Sequence, residues 1–257
     1  MSLSQLRPLE FGEILDGAFV LYRRHLRTFA AVVMVVHLPV LVLAAASPML
    51  RTWVGLRVVN QAEAVLACLA WGAGSAACSV AASDAYLEGD ASAPRALRAI
   101  GTRLPAMGGA YVLKLVALVG GVVLFVAPSL FALQETFAVS AAVMLEGAGP
   151  LRALRRSSAL AAGARLHVLA VALAFGFLMW LPMYTVSYPV THYWHETGLR
   201  WTAYSAAFVA VVMTLMRAFI LPLGSIGAVV LYYDRRVRTE AIDLARPDAA
   251  PAFAVAV

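Results

Sequence analysis

Charged side chains are scarce in this chain: 13% of 257 residues, against about 25% in soluble globular domains. So little charge cannot solvate a water-soluble globule, and 62% of the residues are hydrophobic, with a mean hydropathy of +0.82. Cysteine is nearly absent. Cys68 and Cys78 share one apolar run, and ten residues of helix rise about 15 Å, too far for a disulfide. They read as small packing residues. Strand-length alternation is missing, which argues against a β-barrel. No phosphate-cradling G-x-x-x-x-G-K-[ST] loop, G-x-G-x-x-G turn, G-x-S-x-G elbow or Cys/His metal spacing occurs, so no cofactor or metal is expected. No basic patch is interleaved with aromatics, so nucleic acid is not an expected partner. The net charge of +6 reads instead as positive flanks facing anionic lipid.

What the chain does have is long apolar runs, and about 20 residues of helix cross a bilayer. Spans are expected at about 29–48, 62–86, 106–127, 129–146, 164–187 and 203–232. The expected fold class is an all-α integral membrane protein: six transmembrane helices, amphipathic cytoplasmic interfacial helices, and internal repetition. One polytopic domain would cover 1–244, with 245–257 as a disordered cytoplasmic tail. The first run starts near Phe29 and is too long for a signal-peptide core. In span 2, Gly74, Cys78 and Ala82 recur every four residues beside Ser75, Ser79 and Ser83, which permits close helix contact. Gly108-Gly109 and Gly120-Gly121 suggest the same for span 3. Span 4 is the weakest because it holds Gln134 and Glu135, and Pro222 predicts a kink in span 6.

Three amphipathic helices are expected at the membrane surface, at about 9–28, 94–104 and 150–162. In the first, Phe11, Ile14, Leu15, Ala18, Phe19, Tyr22 and Leu26 take one face, and Pro8 suits its first turn. The other two follow a phrase that occurs twice. Leu87-Glu88-Gly89 leads to Arg95-Ala96-Leu97-Arg98, and Leu145-Glu146-Gly147 leads to Arg152-Ala153-Leu154-Arg155. Each copy leaves one apolar run and enters the next, which marks a duplicated surface element. Leu15-Asp16-Gly17 reads as a faint third echo.

Basic residues set the orientation. Arg7, Arg23, Arg24, Arg27, Arg95, Arg98, Arg103, Arg152, Arg155, Arg156, Arg165, Arg235, Arg236, Arg238 and Arg246 fall on one side of the six spans. Arg51, Arg57 and Arg200 fall on the other. Both termini are therefore expected in the cytoplasm. Arg23, Arg24, Arg95, Arg98, Arg152, Arg155, Arg156, Arg235, Arg236 and Arg238 are the candidate contacts to anionic lipid.

Lys114 and Arg217 fall inside spans, where a charge costs about 2.5–3.5 kcal/mol on insertion scales. Lys114 is placed to snorkel toward the cytoplasm. For Arg217 the leading reading is an ion pair with Glu135 or Glu63, and the sharper one is an anion or substrate site. Asp84, Glu88 and Glu146 stand where spans 2 and 4 end, within reach of arginines on the neighbouring surface helices. His192-Tyr193-Trp194-His195-Glu196 lacks the order of known zinc motifs and reads as an aromatic belt in an external loop. His37, beside Pro39, reads as a packed polar residue.

Three stretches carry a family resemblance. The first is Leu6-Arg7-Pro8-Leu9, Phe11-Gly12-Glu13-Ile14-Leu15-Asp16-Gly17-Ala18-Phe19 and Tyr22-Arg23. The second is Leu145-Glu146-Gly147, Ala153-Leu154 and Arg156-Ser157. The third is Leu231-Tyr232-Tyr233-Asp234, Arg236-Val237-Arg238, Glu240 and Asp243-Leu244. In this order they resemble the bacterial family named for the membrane domain of glycerophosphoryl diester phosphodiesterase. The resemblance implies a bacterial inner-membrane protein. The enzyme in the family's name is a TIM barrel of about 250 residues, and spans and connectors occupy this whole sequence. No phosphodiesterase activity is expected of it. The expected role is a non-catalytic interaction, assembly or lipid-organising component, with the bilayer, its anionic headgroups, and a membrane protein or second copy as partners. The rival expectation is a small transporter or permease-like subunit with a site near Arg217.

Overall fold

A computed structural model describes residues 8–124, 126–196 and 203–240. Those residues form nine helices and no strand, and six helical segments are long and apolar enough to cross a membrane. The helices are α1 (Phe11–Arg24), α2 (Leu26–Val54), α3 (Leu56–Leu87), α4 (Ala93–Leu124), α5 (Val126–Glu135), α6 (Val139–Glu146), α7 (Pro150–Ala161), α8 (Arg165–Glu196) and α9 (Ala203–Glu240). The fold is an all-α multi-pass membrane bundle.

α1 starts at a capping box in which Glu10 and Glu13 satisfy each other's backbone N–H groups. Pro8 therefore precedes the helix rather than opening it. The buried face of α1 is Ile14, Ala18 and Leu21, with Arg23 and Arg24 at its basic end. The chain bends at His25 and continues as α2. The expected loop between spans 1 and 2 shrinks to Gly55, whose φ of +89° makes the turn between two long helices. Residues 49–54 and 56–61 contain no other strong breaker, so both helices continue to it.

The surface helix expected at 94–104 is not separate. It forms the first turns of α4, which runs on through Pro105. A proline removes one hydrogen bond from a helix and bends it, and packing of Ala96, Ile100 and Met107 on either side keeps the helix intact. Span 4 differs in the opposite way, breaking into α5 and α6 at Thr136-Phe137-Ala138. Side chains satisfy the groups exposed by the break. The Thr136 hydroxyl donates to Ala132 O at 2.7 Å, and the Ala138 N–H donates to Ser157 Oγ at 3.0 Å.

The core lies among α2, α3, α6 and the second half of α9. Small residues from Ala76 to Ala85 are almost all buried and let the neighbouring backbones approach. A Cβ on Gly74 would lie 2.9 Å from Leu221 and 3.3 Å from His37. The glycine pairs of α4 each use one member. Gly120 faces open space, whereas a Cβ on Gly121 would stand 2.7 Å from the Ser129 backbone in α5. The two alanine substitutions should therefore differ in sign. Gly120→Ala gains helix propensity, up to about 1 kcal/mol, whereas Gly121→Ala forces the α4–α5 pair apart and costs about 1–3 kcal/mol. Thermal unfolding of the two purified variants in one detergent checks this.

The repeated phrase has a common geometry. Gly89 and Gly147 end their helices with φ of +80° and +71°, and Ala96 and Ala153 are both fully buried in the helices that follow. The faint third echo does not share it, because Leu15-Asp16-Gly17 lies inside α1.

Candidate functional site: an intramembrane cavity

α8 packs on α9 and α5 and scarcely approaches α3 or α4. The space left between them is a cavity of about 550 Å³. Its polar lining is Lys114 from α4, Arg217 and Ser225 from α9, Ser75 and Ser79 from α3, and Ser140 from α6. The hydroxyls form a loose cluster, with Ser75 Oγ 3.5 Å from Ser140 Oγ and 3.4 Å from Ser225 Oγ. The α8 wall is apolar, formed by Val171, Phe175, Met179, Trp180 and Met183. Arg217 also borders a second cavity, of about 750 Å³, that reaches Arg51, Asn60 and Glu63.

Arg217 lies fifteen residues before Tyr232 on a continuous α9, a rise of about 22 Å, which places it deep in the span. The expected ion pair is not made. Glu135 pairs instead with Arg165 at 3.1 Å, and Glu63 with Arg51 at 3.8 Å. The reason is geometric. The α5–α6 break turns Glu135 toward the start of α8, and Asn60 and Glu63 together hold Arg51 across the Gly55 turn. Lys114, the chain's one lysine, lines the cavity with Arg217. Neither cation has a hydrogen bond or ion pair among the described residues. His37, fully buried, donates its Nδ1–H to Val33 O at 3.0 Å, and its Nε2 has no hydrogen-bond partner among the described residues.

The arginine-rich end is tightly cross-linked. Arg156 Nε donates to both Glu146 oxygens at 2.9 Å, and the same guanidinium pairs with Glu240. Tyr232 OH donates to Glu146 at 2.6 Å, and Arg236 bridges Glu240 and Tyr232 OH at 3.0 and 3.3 Å. Burial works against the Arg156 charge, but its hydrogen bonds to Glu240 and Glu146 dominate and raise its pKa above the ordinary guanidinium value. Arg235 donates to Leu160 O and Ala162 O at 2.9 and 3.1 Å, closing the end of α7. Arg238 holds Asp234 at 3.0 Å and Leu9 O at 2.6 Å, which ties α9 to the approach of α1.

In the first copy of the repeat, Arg95 lies 3.2 Å from Glu88 and 3.6 Å from Asp84. Of the candidate lipid contacts, Arg156, Arg235 and Arg236 are thus engaged inside the protein, and Arg238 is held by Asp234 and Leu9 O while staying exposed. Arg23, Arg24, Arg98, Arg152 and Arg155 remain exposed, as does Arg95 beside its carboxylates. The engagement of Arg235 was hidden because Leu160 lies 75 residues away, whereas Arg236 and Arg238 meet carboxylates only four residues along α9.

His192 sits near the end of α8, not in a loop, and stacks on Tyr188 at 5.3 Å. The ladder continues through Tyr184 to Trp180. The side chains of Tyr193, Trp194, His195 and Glu196, and all of Trp201, lie outside the described residues. No metal-binding cluster of His, Cys, Asp or Glu occurs among the described residues. Ser140, Ser225, Phe175 and Met179 are site residues that pattern alone did not single out. A lone serine in an apolar run signals a polar contact but not which helix supplies it. Comparison with family models, with curated proteins and with solved structures finds no match to this chain.

Proposed function

We propose that this chain is a non-catalytic carrier that takes an anionic ligand into its transmembrane bundle, as a small transporter or permease-like subunit would. One observation carries the reading: Lys114 and Arg217 face a common cavity inside apolar spans, and among the described residues neither is matched by a carboxylate. Each such charge costs about 2.5–3.5 kcal/mol on insertion scales, and intramembrane charge marks substrate and ion paths. A bound anion supplies the missing countercharge. The serine hydroxyls add donors to it. The second cavity gives Arg217 access from the end of the bundle opposite the arginine-rich face. The arginine count supports a cytoplasmic location for that face, and the family resemblance supports a bacterial inner membrane.

The test is native mass spectrometry of protein extracted from its own membranes under mild conditions. The native chain should carry an anionic adduct that survives delipidation, and Lys114→Met/Arg217→Met should lose it. Equal retention by both proteins would overturn the reading.

The exposed Arg23, Arg24, Arg98, Arg152 and Arg155 support a second, compatible property: attraction of anionic headgroups to the surface helices. Arg152→Gln/Arg155→Gln should reduce the phosphatidylglycerol retained per protein, while leaving the cavity adduct in place. The same spectra read out both.

A further inference from the structure

Resting on the anion-carrier reading, we infer that the ligand is an amphiphile: a single anionic head of the phosphate type joined to an apolar chain. The cavity has two chemically different walls. The α3, α6 and α9 side and Lys114 present two cations and four hydroxyls, while the facing α8 side presents Val171, Phe175, Met179 and Met183. A small hydrated anion leaves that second wall without a role. The volume points the same way. About 550 Å³ would hold an inorganic phosphate only together with a dozen or more waters, at about 30 Å³ each. Such waters would stand against an α8 wall whose one conventional side-chain hydrogen-bond donor is the Trp180 indole N–H. A head group with a chain fills the same space with matched chemistry and falls in the usual size range of ligand pockets, about 300–1,000 Å³.

The position of α8 gives the route. Because α8 stands off from α3 and α4 while α5 packs on both α4 and α8, the proposed lateral entrance for a molecule dissolved in the bilayer lies between α4 and α8, beside α5. Lys114 lies on the α4 side of this entrance, and Trp180 and Met183 lie on the α8 side. The head group reaches the cations while the chain lies along α8. Gly176 on that wall faces open space, with nothing within 4 Å of where a Cβ would sit. A phenylalanine there projects into the region assigned to the chain and leaves the cations untouched.

The experiment uses the full chain in nanodiscs of zwitterionic lipid, with radiolabelled 1-oleoyl lysophosphatidic acid as probe. Binding should be saturable and displaced by the unlabelled probe. It should not be displaced by inorganic phosphate at about a hundredfold excess or by uncharged monoolein, and Gly176→Phe should weaken it by about tenfold or more. Equal competition by inorganic phosphate overturns the amphiphile inference but leaves the anion site standing. That arm needs only the native protein, so it holds even if Gly176→Phe fails to fold. Binding that is unchanged in Lys114→Met/Arg217→Met overturns the anion site itself.

Discussion

Glu146→Ala is expected to lower stability by about 3 kcal/mol, whereas Glu88→Ala, at the same place in the first copy of the repeat, should cost less than about 1 kcal/mol. The residues around them are the same words, Leu-Glu-Gly, but the surroundings differ. The Glu88–Arg95 pair is exposed, each side chain at 59%, and exposed ion pairs contribute little because water screens them. Glu146 is 18% exposed and Arg156 20%. Glu146 accepts from Arg156 and from Tyr232, so its removal leaves a largely buried guanidinium short of a partner and a buried phenol with only Arg236 beside it. Breaking one side of such a buried pair costs about 3–5 kcal/mol, because the remaining charge is uncompensated. The retained Glu240 contact to Arg156 keeps the expected loss near the lower end. Unfolding midpoints of the two variants in one detergent check the contrast, and equal losses would contradict it.

Removing both intramembrane cations should have the opposite effect on stability. Lys114→Met/Arg217→Met replaces two charges that have no ion pair among the described residues with flexible apolar side chains of similar length, which fill irregular space well. Insertion scales set an upper bound of about 5–7 kcal/mol for the pair. The serine hydroxyls and the water each cavity admits offset part of that, so a gain of roughly 2 kcal/mol is expected. Ligand binding should be lost at the same time. A gain in stability with a loss of function is the usual mark of a site whose strain exists for its ligand. Arg217→Lys keeps the charge but not the planar fork and should retain weakened binding. A large loss of stability in the double variant would make the cations structural.

Much of the architecture was legible because membrane spans are written in composition. A run such as 164–187 has little alternative to crossing a bilayer, and each of the six expected spans overlaps one of the six observed segments, three lying wholly inside and three overshooting an end by one to four residues. Boundaries were harder, and the reasons are specific. A separate surface helix was expected at 94–104, but a local breaker such as Pro105 yields when packing on both sides favours one long helix, as in α4. Gln134 and Glu135 marked span 4 as weak. They could not show that the chain would break just after them, since that depends on Ser157 arriving from α7 to satisfy Ala138. The site was legible in part. Lys114 and Arg217 stood out as charges in apolar runs, and Asp84, Glu88 and Glu146 were matched to the surface arginines that they meet. The absence of a partner for Arg217 among the described residues was not readable. It depends on where Glu63 and Glu135 point, and each is held elsewhere by a second arginine.

The most direct measurement is an experimental map of the full chain purified with its native lipids, at a resolution that shows side chains and bound head groups. The account predicts density for an anionic head between the Lys114 ammonium and the Arg217 guanidinium, with a chain lying along Phe175 and Met179 on α8. A cavity without such density, in which Arg217 turns to Glu63 across the second cavity and makes a salt bridge, would contradict it.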